Sequence, residues 1–182
     1  MRIATRPDPN EWCPPLVLLV GLGMGKDDLS LKALRWLQRA EVLAGGKRHL
    51  DLFPEFMGRK ISLEAPLEAP LEAFIAMLKE ISVQKRTAVL ASGDPLYFGI
   101  GRRLIAALGR ERVVVFPNIT SIQAVFSGLG ETWEGVKVLS LHGSGKSSQP
   151  NEWLRAVRSA SRVAILTDPH HHPGWIAERL LD

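Results

Sequence analysis

Leu90-Ala91-Ser92-Gly93-Asp94-Pro95-Leu96-Tyr97-Phe98-Gly99-Ile100-Gly101 is the stretch on which the reading of this chain turns. The apolar run Ala88-Val89-Leu90-Ala91 predicts a buried strand that stops at Ser92. Pro95 has no N–H to offer a ladder and biases Asp94 away from helical geometry, so the chain turns there. Beyond the turn, Ile100, Leu104, Ile105 and Leu108 recur at helical spacing, with Arg102 and Arg103 off that stripe. The Asp94 carboxylate therefore sits at the carboxyl end of a buried strand, where open α/β sheets bind ligands. Taken alone, an Asp-Pro turn that merely caps the next helix is the plainer reading.

A second buried strand, Leu16-Val17-Leu18-Leu19-Val20, runs into Gly21-Leu22-Gly23-Met24-Gly25. Alternate glycines allow positive φ and close approach of a ligand to the main chain. Leu31, Leu34 and Leu37 share one stripe, so residues 29–40 predict a helix, with Asp28 or Ser30 as its N-cap. This is not the dinucleotide fingerprint, because the third glycine follows after one residue instead of two. The next strand, Glu41-Val42-Leu43-Ala44, also ends in Gly45-Gly46 with no acidic residue placed for a ribose. A nicotinamide- or flavin-binding Rossmann domain is the weaker reading.

At 182 residues and 46% hydrophobic content, the chain has material for one large domain or two small ones. Its apolar runs fall well short of the roughly 20 residues of a membrane span. Residues 1–15 are polar and proline-bearing, lack the apolar stretch of a secretory signal, and predict a loose leader. Cys13 is the only cysteine and cannot form an internal disulfide, so a reducing cytoplasm is the simplest setting. The net charge of +4 suits an anionic small molecule. Basic residues are scattered without aromatic interleaving, which argues against nucleic acid.

Strands over 16–20, 42–45, 60–63, 88–91 and 112–116 alternate with helices over 29–40, 71–83 and 99–108. That alternation predicts an α/β lobe with a mostly parallel sheet covered on both faces. The proline-punctuated repeat from Leu63 to Ala73 reads as a linker onto the helix at 71–83. Phe116-Pro117-Asn118-Ile119-Thr120-Ser121 marks the crossover to a second α/β lobe. That lobe holds a helix at 121–129, strands at 136–141 and 162–167, a Gly/Ser-rich loop from Gly143 to Gln149, a helix at 151–159 and a last helix from Pro173. The expected division is a leader 1–15, a first lobe 16–117 and a second lobe 118–182. A lobe of about sixty residues is marginal alone, so the second reads as truncated or completed by a following segment. Trp36, Trp153 and Trp175 fall on helices as packing residues.

Five segments occur in order: Val20-Gly21-Leu22-Gly23-Met24-Gly25, Gly45-Gly46-Lys47-Arg48-His49-Leu50, Ser92-Gly93-Asp94-Pro95, Pro117-Asn118-Ile119-Thr120-Ser121 and Leu141-His142-Gly143. Together they resemble the S-adenosylmethionine-dependent tetrapyrrole methyltransferases of cobalamin biosynthesis, over residues 16 to 180. The second and last segments resemble the C-5-methylating branch of that family, the precorrin-6Y C(5,15)-methyltransferase type. Met24 departs from a usual proline, and Thr120-Ser121 from a usual serine pair. Both changes are mild, since a thioether and a hydroxyl still line a donor pocket.

The resemblance implies two α/β lobes with S-adenosylmethionine bent into the cleft between them, and methyl transfer to C-5 of a precorrin macrocycle. Carried over by motif, Gly21 and Gly23 let the backbone approach the donor, and Met24 lies against it. Gly93, Asp94 and Tyr97 hold its amino-acid and ribose portions, Thr120 and Ser121 bond from the other side, and Leu141 touches the adenine. Thr120 and Ser121 equally suit the N-cap of the helix at 121–129. Lys47, Arg48, Arg102 and Arg103 either pair with the acceptor's carboxylates or are solvated surface residues. His142 contacts substrate, shuttles a proton, or braces its loop.

No catalytic nucleophile and no metal are expected, because a sulfonium donor is reactive enough for orientation alone to serve. His170-His171-His172 invites a metal reading, but adjacent histidines on a loop cannot all face one ion. The resemblance further implies a homodimer and a decarboxylating methyltransferase partner, as a separate subunit or fused domain. Methylation of another tetrapyrrole position, or a non-catalytic donor- or substrate-binding role beside a second methyltransferase, are the alternative readings.

Overall fold

Four apolar runs and one mostly polar edge segment become strands of one sheet: β1 (Val17–Gly21), β2 (Val42–Gly45), the polar β3 (Arg59–Ser62), β4 (Thr87–Ala91) and β5 (Val113–Phe116). The computed structural model describes residues 8–63, 70–141 and 152–181. All neighbouring strands are parallel, in the order β3-β2-β4-β1-β5. Every residue of β1 and β4 is buried, as befits strands covered on both faces. Their side chains alternate between two cores. Leu18 and Val20 join Ala88 and Leu90 on one face; Val17 and Leu19 join Val89 and Ala91 on the other.

The direction of chain travel decides which helix covers which face. From β1 to β2 to β3 the chain moves toward the β3 edge, and from β3 to β4 to β5 it moves back. Right-handed crossovers of opposite travel place their helices on opposite faces. Accordingly α1 (Leu31–Leu37) and the short α2 (Lys47–Leu50) supply Ala33, Trp36, Leu37 and Leu50 to the first core. The second receives Phe74 and Leu78 from α3 (Pro70–Ile81), and Leu104 and Leu108 from α4 (Gly101–Leu108).

Two local features differ from expectation. Residues 8–15 do not all behave as a leader: Pro9–Glu11 form a turn of 3-10 helix capped by Asp8, and Trp12 is buried. The Trp12 indole N–H donates to Leu16 O at 2.8 Å, and its ring lies 5.7 Å from Trp36, which in turn lies 5.7 Å from Phe116. A ring of that area stays in water only at a cost, so it recruits its segment to the core. Helix α1 is also shorter than the 29–40 expected. Ser30 Oγ accepts the Ala33 N–H and sets its start. Past Leu37 the chain tightens, with Arg39 N–H donating to Trp36 O and Ala40 N–H to Leu37 O, both at 3.0 Å.

The chain divides into two compact units, Met1–Ala124 and Val125–Asp182, with α5 (Ser121–Leu129) running across the division. In the second unit β6 (Lys137–Ser140) and β7 (Val163–Leu166) form a two-stranded parallel sheet, joined through α6 (Glu152–Arg158) and followed by α7 (Pro173–Leu181). The Trp153 and Trp175 rings lie 5.7 Å apart, and the Arg179 guanidinium sits 3.9 Å over Trp175. His171 Nδ1 is 3.0 Å from Asp168 Oδ1, and its ring meets Trp175 edge-on. Among the described residues no group of three His, Cys, Asp or Glu is placed to hold a metal ion. Nor is any helix among them long and apolar enough to cross a membrane. Residues 64–69 of the proline repeat, His142, and the loop from Gly143 to Gln149 lie outside the described residues.

Candidate functional site

β1 and β4 are neighbours whose exits lead to opposite faces, and an open α/β sheet has its crevice at such a point. The two turns singled out in the sequence meet there. Leu22 N–H donates to Ala91 O and Gly93 N–H to Gly23 O, both at 2.9 Å, and Gly23 with Gly93 forms an isolated antiparallel bridge. At Gly21 the backbones approach so closely that a Cβ would overlap Gly93 O and lie 2.8 Å from Pro95 Cδ. Gly23 has φ +63°, and a Cβ there would lie 2.6 Å from the Asp28 carboxylate. Gly25 is extended with nothing within 4 Å of its Cβ position, so only two glycines of the alternating three are required by geometry.

Two side chains hold these turns: Asp28, read in the sequence as an alternative N-cap for the helix, and Asn118, given no role there. Asp28 Oδ2 accepts the Met24 N–H at 2.7 Å, so Asp28 closes the turn and leaves the capping of α1 to Ser30. Asn118, just past β5, donates its side-chain amide to Gly21 O and to Asp28 O, both at 3.0 Å. The only clue to Asn118 was its place in the Pro-Asn-Ile-Thr-Ser segment. A clamp spanning 97 residues has no periodicity to betray it.

The other predicted positions distribute as follows. Met24 is 60% exposed at the tip of its turn. Asp94 Oδ1 accepts the Leu96 N–H at 2.8 Å, the local turn that the plainer reading required. Its other oxygen makes no hydrogen bond or ion pair among the described residues. Tyr97 is half-buried with its ring edge-on to Phe98, and burial pushes its phenol above the usual range. Phe98 is the one non-glycine of the described residues at positive φ (53°), a conformation costing about 1–3 kcal/mol that clusters at ligand clamps.

Thr120 is engaged in a capping box with Gln123: Thr120 Oγ1 accepts the Gln123 N–H at 3.3 Å, and Gln123 Oε1 accepts the Thr120 N–H at 2.8 Å. Ser121 opens α5. The position a Cβ on Gly93 would take is 3.6 Å from Thr120 Cα, so this cap adjoins the paired turns. Leu141 belongs to the second unit, where its N–H donates to Leu166 O at 2.9 Å. Arg102 and Arg103 are exposed in the first turn of α4, and Lys47 pairs with Asp51 at 2.7 Å. Arg48 and His49 both reach Ser92 Oγ.

Two glycine turns paired at the switch point of a parallel sheet place the chain among the open α/β proteins, whose ligands bind at such a point. Comparison supplies the family. Residues 16–182 match the family described as Tetrapyrrole (Corrin/Porphyrin) Methylases, and the chain belongs to it. It is 35% identical over 167 residues to the cobalt-precorrin-7 C(5)-methyltransferase of Salmonella typhimurium, covering 91% of this chain and 78% of that one. The crystal structure of a cobalamin-biosynthesis precorrin-6Y methylase from Archaeoglobus fulgidus aligns with a TM-score of 0.65 at 25% identity, over 91% of this chain and 78% of that one. Uroporphyrin-III C-methyltransferase from Thermus thermophilus, complexed with S-adenosylhomocysteine, aligns at 0.63 and 28% identity, over 91% and 75%. The expected family and fold class are borne out.

Proposed function

We propose that this protein is an S-adenosylmethionine-dependent C-methyltransferase of cobalamin biosynthesis, transferring a methyl group to C-5 of a precorrin macrocycle. The observation that carries the reading is the pairing of the Gly23 and Gly93 turns at the sheet's switch point, in a chain 35% identical to a cobalt-precorrin-7 C(5)-methyltransferase. The donor supplies an electrophilic methyl on a sulfonium sulfur. The chain's own task is to fix that group against the acceptor carbon, and orientation of this kind is worth roughly 7–11 kcal/mol.

The residues present fit such a donor. Gly21 and Gly23 let the two turns close on one another at the sheet edge, and Met24 offers an exposed thioether beside them. Gly93 and Asp94 take the amino-acid and ribose portions, the uncommitted Asp94 oxygen accepting from a hydroxyl or ammonium group. Tyr97, kept protonated by its raised pKa, donates. Thr120 and Ser121 complete the wall while capping α5. Leu96 and Phe98, each more than half exposed, add apolar surface at the same edge for a flat macrocycle.

Lys47, Arg48, Arg102, Arg103 and His142 are assigned to the acceptor's carboxylates. Arg102 and Arg103 support this assignment because cations in the first turn of a helix oppose its dipole by about 0.3–1 kcal/mol each. Helix stability does not explain them. A homodimer, a decarboxylating partner subunit and a cytoplasmic setting complete the proposal.

Calorimetry with S-adenosylhomocysteine, followed by turnover of precorrin-7 with a decarboxylating partner present, tests it. Binding with turnover is expected. Binding without turnover favours a non-catalytic donor-binding role, and absence of both removes the methyltransferase reading.

A further inference from the structure

The Gly-Gly-Lys-Arg-His-Leu segment and the Ser-Gly-Asp-Pro turn, read separately in the sequence, are joined by side chains. β2 lies beside β4 with Gly45 opposite Leu90, so α2, which follows β2, starts over the end of β4. Arg48 Nη2 donates to Ser92 Oγ at 2.7 Å. His49 Nε2 lies 2.9 Å from the same oxygen, and Arg48 Nε donates to His49 Nε2 at 3.3 Å.

The hydrogen positions follow from chemistry. A guanidinium can only donate, so Nε2 is the unprotonated nitrogen and the imidazole is neutral in this arrangement. Nε2 has no hydrogen to give, so the Ser92 hydroxyl, which accepts from Arg48, donates its own hydrogen to His49. Arg48 is thus held from two of its nitrogens by uncharged groups.

Its charge is not matched. Among the described residues Arg48 makes no ion pair, whereas its neighbour Lys47 pairs with Asp51 at 2.7 Å. An arginine fixed in one pose by neutral partners, with its charge open, is pre-organised for a planar anion that accepts from a fork of N–H groups. Ser92 precedes Gly93, so this cation stands one residue from the paired turns.

We propose that Arg48, positioned by Ser92 and His49, is the docking point for a carboxylate of a molecule bound in the crevice. The proposal rests on the methyltransferase reading for the choice of molecule and refines the broader set of cations assigned above. Two carboxylate sources exist there: the donor's amino-acid group and the acidic side chains of the macrocycle. Both offer the same chemistry to Arg48.

Three probes separate them on the full chain: S-adenosylhomocysteine, 5′-methylthioadenosine (which lacks the amino-acid part), and uroporphyrin as a carboxylate-bearing tetrapyrrole. Arg48→Gln is expected to weaken one carboxylate ligand about tenfold or more while leaving 5′-methylthioadenosine unchanged. Loss confined to S-adenosylhomocysteine assigns the donor's carboxylate, and loss confined to uroporphyrin assigns the acceptor's. Arg48→Lys should not restore affinity, because it keeps charge without the fork. Ser92→Ala should cost a few-fold through lost positioning.

Unchanged affinity for both carboxylate ligands overturns the proposal. So does an equal loss for 5′-methylthioadenosine, which would mark Arg48 as structural. Failure of the wild-type protein to bind S-adenosylhomocysteine would remove the methyltransferase reading instead, and the uroporphyrin arm would still decide Arg48.

Discussion

Asn118 does with one side chain what no strand or helix here does: it ties the end of β1, the Asp28 turn and the end of β5 together. Replacing it with alanine removes both donors and leaves two main-chain carbonyls short of a partner. Asn118→Ala should therefore lower unfolding stability by about 1–3 kcal/mol in urea titration, with weaker S-adenosylhomocysteine binding. A change within the error of the titration would strip Asn118 of this role. Gly21→Ala tests the close approach, since its Cβ has no room between Gly93 O and Pro95. The expected result is a loss of about 1–3 kcal/mol, with donor affinity lost and the far-ultraviolet spectrum retained. Normal affinity in that variant would show that the turns part without harm.

At the scale of elements, the start of β2 is locked to the start of β4 through Glu41. Its Oε2 accepts the Arg86 N–H at 3.1 Å, its Oε1 accepts from Lys85 Nζ at 3.2 Å, and Glu41 N–H donates to Arg86 O at 2.8 Å. The Arg86 N–H, then Lys85, hold the Glu41 carboxyl below the usual range. A carboxylate with a depressed folded pKa contributes stability above the ordinary glutamate range and loses it as pH falls through the depressed value. Glu41→Gln should therefore cost about 0.5–1 kcal/mol at neutral pH, Glu41 being a third exposed, Lys85 more than half, and the pair screened. It should also flatten the acid limb of the stability profile. An unchanged slope below pH 5 would contradict this.

Which elements were readable follows from the same physics. β1 and β4 announce themselves because a strand buried on both faces must be an unbroken apolar run, and glycine or proline ends each one. α2 was not foreseen, since four residues show no helical period. Ser92, His49 and Asn118 escaped as partners because their contacts join positions far apart in the chain. Asp28 escaped because a carboxylate before a helix reads as a cap for the helix and not as a partner for the turn behind it. Motif order could indicate that the turns share a site, but not which side chains clamp them.

For the whole molecule, the two units differ in how completely they bury their strands. β1 and β4 are buried throughout, whereas β6 and β7 contain no fully buried residue. A two-stranded sheet with a thin core is the less stable kind of unit. Tryptophans report on each separately: Trp12 and Trp36 in the first, Trp133, Trp153 and Trp175 in the second. In urea, fluorescence of a Trp12→Phe/Trp36→Phe variant should change at lower denaturant than that of a Trp133→Phe/Trp153→Phe/Trp175→Phe variant. Coincident midpoints would mean that the units unfold as one.

The bridge between Gly23 and Gly93 makes the two turns a single jaw instead of two independent lips. A displacement of either is passed to the other through one amide, with no flexible side chain to absorb it. Changes on the two sides should therefore compound unevenly, and a repacked first turn is best sought together with a matching second. Any library that varies them one at a time samples mostly broken hinges.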